Sequence, residues 1–422
     1  MDSFFDGRET LAPQERERQL FEHLPRALSA ARRRAPAIAR QLHGIDEAML
    51  VSREALAAVP VLRKSELLHA QYEARMQGGH GPRDVVNRVF GGFSTVAWGE
   101  ARRVFASPGP IYEPEGVSPD YWGFARALHA AGVRSGDLVH NCFSYHFTPA
   151  GSMMETAAHA LGCTVFPGGV GQTEQQVRTM ADLAPGAYTG TPSFLRIILE
   201  KADEMGVTLP SLRCALFSGE AFPPSLQAWF AARGIAGFQA YGSADLGMVA
   251  FETPARAGLV LNEDLILEIV RPGTGQPVPD GEVGEVVVTR FNPDYPLLRF
   301  GTGDLSAIEP GESPCGRTNV RIRGWLGRAD QTTKVRGMFV HPEQVAMVLR
   351  NHPEIGRARL VISGEMGHDL MTLKVESSRA LDVEAVAASV RDQTKLRAQV
   401  EMVPAGSLPN DGKVIEDVRS YK

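Results

Sequence analysis

Two short runs in the last third of the chain carry residue types suited to nucleotide chemistry. The first is Arg299-Phe300-Gly301-Thr302-Gly303-Asp304; the second is Gly327-Arg328-Ala329-Asp330, leading to Lys334-Val335-Arg336-Gly337. Each sets an acid beside glycines and basic groups. An aspartate after glycine can accept hydrogen bonds from two neighbouring hydroxyls, and charge-assisted bonds of that kind are the stronger ones. A glycine-rich run just before a small terminal module also supplies the torsional freedom a domain rotation needs. The pair points to ribose binding and carboxylate activation.

Other chemistries find less support. Cys142, Cys163, Cys214 and Cys315 are widely separated and form no CxxC pair, so they read as small buried hydrophobes. Cys142 lies four residues before His146, the one local spacing open to a cysteine nucleophile. No GxSxG elbow or HExxH helix occurs. The 422 residues imply more than one core, while 43% hydrophobic and 22% charged residues are ordinary for a globular protein. A net charge of -5 gives no general attraction for nucleic acid. With no apolar run of about 18 residues and no signal-peptide pattern at the N-terminus, a cytoplasmic protein without membrane partners is expected.

The elements that must position these runs follow from periodicity. Residues 1 to about 75 read as helical, with Arg32, Arg33 and Arg34 as a solvated face. From about 120 to 260 helices and short apolar strands alternate: Tyr121–Ala131, Met153–Leu161, Gln175–Leu183, Phe194–Met205 and Leu226–Ala232 as helices; Leu138–Cys142, Cys163–Pro167 and Cys214–Ser218 as strands. That alternation is the pattern of a doubly wound α/β sheet. Strands at Ile266–Val270, Glu285–Thr289 and Asp304–Ile308, joined by Pro/Gly turns, form a β-rich subdomain. Beyond residue 327 a mixed pattern resumes: a strand over 332–335, helices over Pro342–Asn351 and Val383–Leu396, and strands over Arg359–Ile362 and Met371–Val375. The expected fold is α/β, with a large N-terminal domain over 1–326 and a small mobile C-terminal α+β domain over 327–422.

The order Tyr241-Gly242-Ser243-Ala244-Asp245, Gly301-Thr302-Gly303-Asp304, Gly327-Arg328-Ala329-Asp330 and Gly412-Lys413 resembles the adenylate-forming acyl-CoA synthetase superfamily, and within it the phenylacetate-CoA ligase branch. Gly190-Thr191-Pro192-Ser193, Phe217-Ser218-Gly219-Glu220-Ala221 and the run 336–342 fall in the same order, so the likeness extends from about residue 85 to the C-terminus. It implies an acid–thiol ligase that uses ATP, Mg²⁺ and CoA to activate an aryl or arylacetic acid as an acyl adenylate. By resemblance, Asp304 would take the ribose hydroxyls, Arg328 would contact the nucleotide, and Gly219, Glu220 and Ala221 would form the adenine turn beside Tyr241, Gly242 and Ser243. Asp330 would be the hinge, Lys413 the lysine that enters the adenylation site, and Asp245 the carboxylate near Mg²⁺. Phe143, Tyr145, Phe147, Gly168 and Gly169 would line the acid's pocket. The partners implied are a small carboxylic acid and CoA, and a homodimer is compatible with the chain.

Departures from the family pattern stand beside these matches. Where the family has a Ser/Thr/Gly-rich phosphate loop ending in Lys-Pro, this chain reads Ser107-Pro108-Gly109-Pro110-Ile111-Tyr112-Glu113-Pro114. Its prolines remove N–H donors and Glu113 puts an acid where a base is usual. Ala244 replaces a threonine and Asp245 a glutamate. Cys315 stands alone where relatives carry further cysteines, so no zinc is expected. The altered loop leaves an alternative open: an ATP-independent acyl or CoA transferase, or a nucleotide or acyl-CoA binding protein.

Overall fold

The structure, a computed structural model, describes residues 4–77, 81–272, 275–329, 331, 333–335, 338–364, 369–377, 379–409, 411 and 413–419. Helix α1 (Pro13–Arg34) begins with proline, whose fixed φ suits a first turn, and ends on Arg32–Arg34, whose charge suits a C-terminus. It buries Phe21, Leu24, Leu28 and Ala31, one stripe at helical spacing. The arginine triplet is spent on the surface: Arg32 pairs with Glu47, Arg33 donates to Ser29 and Arg34 lies 3.7 Å from Glu100. Helix α2 (Lys64–Met76) follows a two-residue strand, Leu62–Arg63.

At the place of the phosphate loop lies a hairpin, β1 (Arg103–Ser107) and β2 (Ile111–Glu115), paired from Arg103 opposite Glu115 to Ser107 opposite Ile111. Part of its backbone hydrogen bonding is therefore taken up by a ladder. The main sheet contains β3 (Leu138–Asn141), β4 (Thr164–Phe166), β5 (Ala187–Gly190), β6 (Cys214–Phe217) and β7 (Ala236–Ser243), parallel in the spatial order β4-β3-β5-β6-β7. Next to β7 the sheet turns antiparallel through β8 (Gly247–Glu252) and β9 (Leu259–Leu261).

Alternation along the parallel strands loads both faces. Cys214 and Leu216 pack with the helices Ala125–Ala130 and α3 (Ala150–Ala160). Ala215 and Phe217 pack on the other side with α4 (Thr173–Leu183), α5 (Pro192–Glu204) and α6 (Pro224–Ala231). Period-two side-chain direction thus yields the doubly wound form. The helix expected over Tyr121–Ala131 is shorter, because Gly123 turns the chain at φ +79° and Asp120 caps Ala125 N–H at 3.1 Å.

The β-rich part is an antiparallel set of β10 (Leu265–Val270), β11 (Gly284–Arg290) and β12 (Leu297–Ser306), with Leu62–Arg63 parallel to β12. Gly301 and Gly303, which punctuate the sequence like turn residues, sit inside β12, and the strand begins seven residues before Asp304. Gly301 pairs with Val287, while Gly303 falls within a bulge of the β11–β12 pairing.

Past residue 335 a separate core gathers Val345, Val348, Leu360, Ile362, Leu373, Val375, Val386 and Val390. It lies between helices α7 (Pro342–Asn351) and α8 (Val383–Thr394) and a four-stranded sheet. That sheet has Ile355–Ser363 antiparallel to Leu370–Ser377, with Ile415–Asp417 and Gln399–Val403 as parallel edges. Among the described residues no helix is long and apolar enough to cross a membrane.

Candidate active site

The candidate residues over 218–245 lie at or beyond the carboxyl ends of the parallel strands β6 and β7, where open α/β sheets leave a crevice. After β6 the chain passes through Ser218, whose hydroxyl donates to Ala240 carbonyl at 2.9 Å, and Gly219, which takes φ +80°. After β7 comes the turn that carries Ser243, Ala244 and Asp245 into β8. A cavity of about 480 Å³ opens here, lined by residues 218–223, 239–242 and 323–325 with Leu259 and Asp304. A smaller one, of about 140 Å³, is lined by Phe124, Phe143, Met153, Met154, residues 148–150, 218–219 and 242–244. Ser218, Gly219 and Gly242 border both.

Asp304 marks the polar end of the larger cavity. Tyr241 hydroxyl donates to its Oδ2 at 2.8 Å and sits 3.2 Å from Thr302 Oγ1, while Asp304 N–H donates to Thr302 Oγ1 at 3.1 Å. Its Oδ1 accepts from Arg328 Nη1 at 3.0 Å and from Trp325 Nε1 at 3.1 Å. Burial, and then the Asp304 charge, push the Tyr241 phenol well above its usual range, so it remains a donor. Gly303 is required twice over: its φ is +73°, and a Cβ there would meet Arg328 Nη2 at 2.7 Å. Arg299, the base of the first run, faces elsewhere. It is 1% exposed, pairs with Glu268 through two bonds of 2.9 Å and donates to the carbonyls of Ala57 and Gly275.

Outside the lining of both cavities lies a buried polar cluster drawn from three segments, and Asp245 belongs to it. Lys64, at the start of α2, donates to Asp245 Oδ2 at 2.8 Å; the carboxylate is almost fully buried, the lysine side chain 39% exposed. Glu113 of β2 accepts from Ser107 Oγ at 2.5 Å, and burial followed by the nearby Asp245 charge push its carboxyl up to about 8. Asp245 Oδ1 and Glu113 Oε2 are buried without a hydrogen-bond partner. Gln71 of α2 ties the hairpin down through Tyr112 backbone and the Tyr295 hydroxyl.

The structure brings Gly219, Glu220, Ala221, Tyr241, Gly242 and Asp304 to one cavity, and sets Phe143, Ser243 and Ala244 on its neighbour. Tyr145, Gly168 and Gly169 line neither: Tyr145 hydroxyl accepts from Asn141 Nδ2 at 2.8 Å, and Gln176 Nε2 donates to Gly168 carbonyl at 2.9 Å. Phe147 is 80% exposed. Lys413 lies in the C-terminal module, its N–H donating to Asp411 at 3.1 Å, and is not in either wall. Asp330 falls outside the described residues. Cys142 makes no site with His146; its thiol is buried near Gln176 Oε1 and pushed up to about 12 by burial. Among the described residues no three acidic, cysteine or histidine side chains gather for a metal.

Comparison with known proteins agrees with this layout. The family described as "AMP-binding enzyme" matches residues 121–292. The phenylacetate-coenzyme A ligase of Thermus thermophilus is 31% identical, with 95% of each chain covered. The chain belongs to the phenylacetate-CoA ligase family. The ligase of the same name from Aromatoleum evansii is 33% identical over 69% of each chain. The crystal structure of 2-hydroxyisobutyryl-CoA ligase in complex with 2-HIB-AMP and CoA in an open conformation superposes with a TM-score of 0.70 at 26% identity, covering 95% of this chain and 91% of that one.

As a family member the chain is an acid–thiol ligase that forms an acyl-CoA through an acyl adenylate, and the transferase or binding-protein alternative is not favoured. Sequence reading of this family member passed over Lys64 and Trp325. Lys64 meets Asp245 across 181 residues and carries no local signal. An aromatic residue two positions ahead of Gly327 was a signal for Trp325.

Proposed function

We propose that the enzyme activates a compact aryl or arylacetic acid at the junction of the two cavities and then transfers the acyl group to CoA. The observation that carries this reading is the shared border at Ser218, Gly219 and Gly242. A nucleoside in the larger cavity and an acid in the apolar one would meet there, with the carboxylate oxygen close to the α-phosphorus. That oxygen forms the new P–O bond as pyrophosphate leaves; the CoA thiolate then attacks the acyl carbon and AMP departs.

In this reading Asp304 accepts the ribose hydroxyls, Tyr241 holds its carboxylate in place, Arg328 lies on the ribose side, and residues 219–221 cover the adenine. Hard oxygen donors suit Mg²⁺, which is commonly held by one or two carboxylates plus substrate phosphates. Asp245 Oδ1, buried and unpartnered, fits that role, and the ion would neutralise phosphate charge. Lys64 supplies a cation at the end where the usual loop base is replaced by Glu113. Residues 327–422 form the small mobile domain, with Asp330 as hinge and Lys413 as the lysine it delivers to the developing charge.

Phe124, Phe143, Met153 and Met154 favour a flat apolar acid, and a volume of about 140 Å³ excludes long acyl chains. A second reading, a small branched hydroxy acid, is favoured by the likeness to 2-hydroxyisobutyryl-CoA ligase and by Thr148, Ser218 and Ser243 in the same wall. Acid-dependent exchange of labelled pyrophosphate into ATP, followed by CoA-thioester formation, separates the two. Exchange with arylacetates and not with hydroxyalkanoates supports the first, the reverse supports the second, and exchange with neither class overturns adenylation of such acids.

A further inference from the structure

Asp304 has little room for a ribose. A carboxylate oxygen accepts about two hydrogen bonds, and Oδ1 already receives Trp325 Nε1 at 3.1 Å and Arg328 Nη1 at 3.0 Å. Oδ2 receives the Tyr241 hydroxyl at 2.8 Å and retains one place. A vicinal diol brings two O–H donors. To bond both, it must take a place on Oδ1 from Trp325 or from Arg328.

Trp325 is the weaker holder. Its indole is 56% exposed, so it is tethered at one N–H rather than packed, and the bond it makes is the longer of the pair. Arg328 is also anchored to Thr302 carbonyl at 3.3 Å and bears a full charge opposite the carboxylate. Trp325 lines the same cavity as Asp304, and Gly327–Arg328, two residues on, pairs with β12 at Leu305 and Asp304. The stretch from Trp325 to Arg328 is thus tied at both ends to the one acid and its strand.

We propose that Trp325 competes with the ribose diol for Asp304 Oδ1, so that it tempers the enzyme's preference for ribonucleotides and frees the Trp325 end of the 325–328 segment when a nucleotide displaces it. The inference rests on reading Asp304 as the ribose acceptor. No covalent change is involved: one indole N–H bond to the carboxylate is exchanged for one hydroxyl bond. A nucleotide lacking both hydroxyls leaves the tryptophan in place.

The test is binding of AMP and 2′,3′-dideoxy-AMP to the full-length protein and to W325F, which retains an aromatic ring and removes the competing N–H. A charged hydrogen bond contributes enough for roughly a tenfold effect, so AMP is expected to bind W325F about tenfold more tightly while dideoxy-AMP is unchanged. Amide exchange over residues 325–328 should quicken in the natural protein with AMP and stay constant with dideoxy-AMP. Equal changes in both affinities in W325F, as simple stacking on the base would produce, overturn the proposal, as does no change in either. D304A separates the underlying reading: if AMP still binds D304A more tightly than dideoxy-AMP does, the ribose role itself fails and the inference falls with it. If D304A abolishes that difference and W325F leaves it unaltered, only the competition is overturned.

Discussion

The cavity beside Asp304 and the cluster around Asp245 are built on different principles. At the cavity proposed for the nucleoside, the side chains come from strand ends and a glycine-bearing strand: Tyr241 lies near the end of β7, Asp304 lies in β12, and residues 219–221 follow β6. Their hydrogen-bonding groups face a cavity. In the cluster, Lys64, Glu113 and Asp245 come from a helix, a hairpin and a turn, and a carboxylate and a second, protonated carboxyl are buried beside one ammonium. The first is a binding surface that the fold displays. The second is also part of what holds the fold together, since a buried charge depends on its partner.

That contrast predicts how each fails. The largest effect is expected from Asp304→Ala, which removes two charged acceptor places: AMP affinity and pyrophosphate exchange should fall on the order of 10²- to 10⁴-fold, with little change in thermal unfolding. A large loss of stability would erase the distinction drawn here. Lys64→Ala should act on both properties, leaving Asp245 buried without its cation. Allowing for the lysine's partial exposure, stability should drop by roughly 2–4 kcal/mol in denaturant titration, and exchange should fall. Adding Asp245→Asn should restore much of the stability and none of the activity; if it restores both, Lys64 is only a structural counter-ion.

Glu113 gives a smaller, pH-dependent effect. Its carboxyl titrates at about 8 in the fold against 4.5 as a free group. Between those values the native protein holds the extra proton, so this group's contribution is fully favourable below 4.5, declines as pH rises to about 8, and is level above. Glu113→Gln should flatten that slope and raise stability at pH 8 by about 1–2 kcal/mol, read from unfolding curves at several pH values. The smallest effect is Tyr241→Phe, which removes one neutral donor to Asp304 and should weaken AMP about fivefold. Because the phenol stays protonated, the loss should be the same from pH 6 to 9.

Periodicity and local motif were enough for most of the framework. The strand Leu138–Asn141 and the helices over 173–183, 192–204, 342–351 and 383–394 lie within about two residues of where the pattern puts them at either end. The cavity proposed for the nucleoside was legible for the same reason: each of its parts is a short contiguous run whose glycine, acid and aromatic residues act within a few positions of one another. Residues 107–114 were read as a loop, because prolines and glycine at residues 108–110 mask a two-stranded ladder, 103–107 with 111–115, whose pairing runs across them. Arg299 illustrates the opposite error. Its place beside Gly301 and Asp304 suggested the nucleotide, yet the fold turns it into the interior, where Glu268 and the carbonyls of Ala57, Val59 and Gly275 take its bonds.

By itself, then, the sequence determined the family and most of the element types, since these depend on local spacing and side-chain chemistry. Only the tertiary structure decided that Lys64 neutralises Asp245, that Glu113 sits protonated beside it, and that Trp325 and Arg328 crowd Asp304. Those contacts join residues up to 181 positions apart. Their strength comes from exclusion of water, a property of the packed molecule that no local run of residues contains.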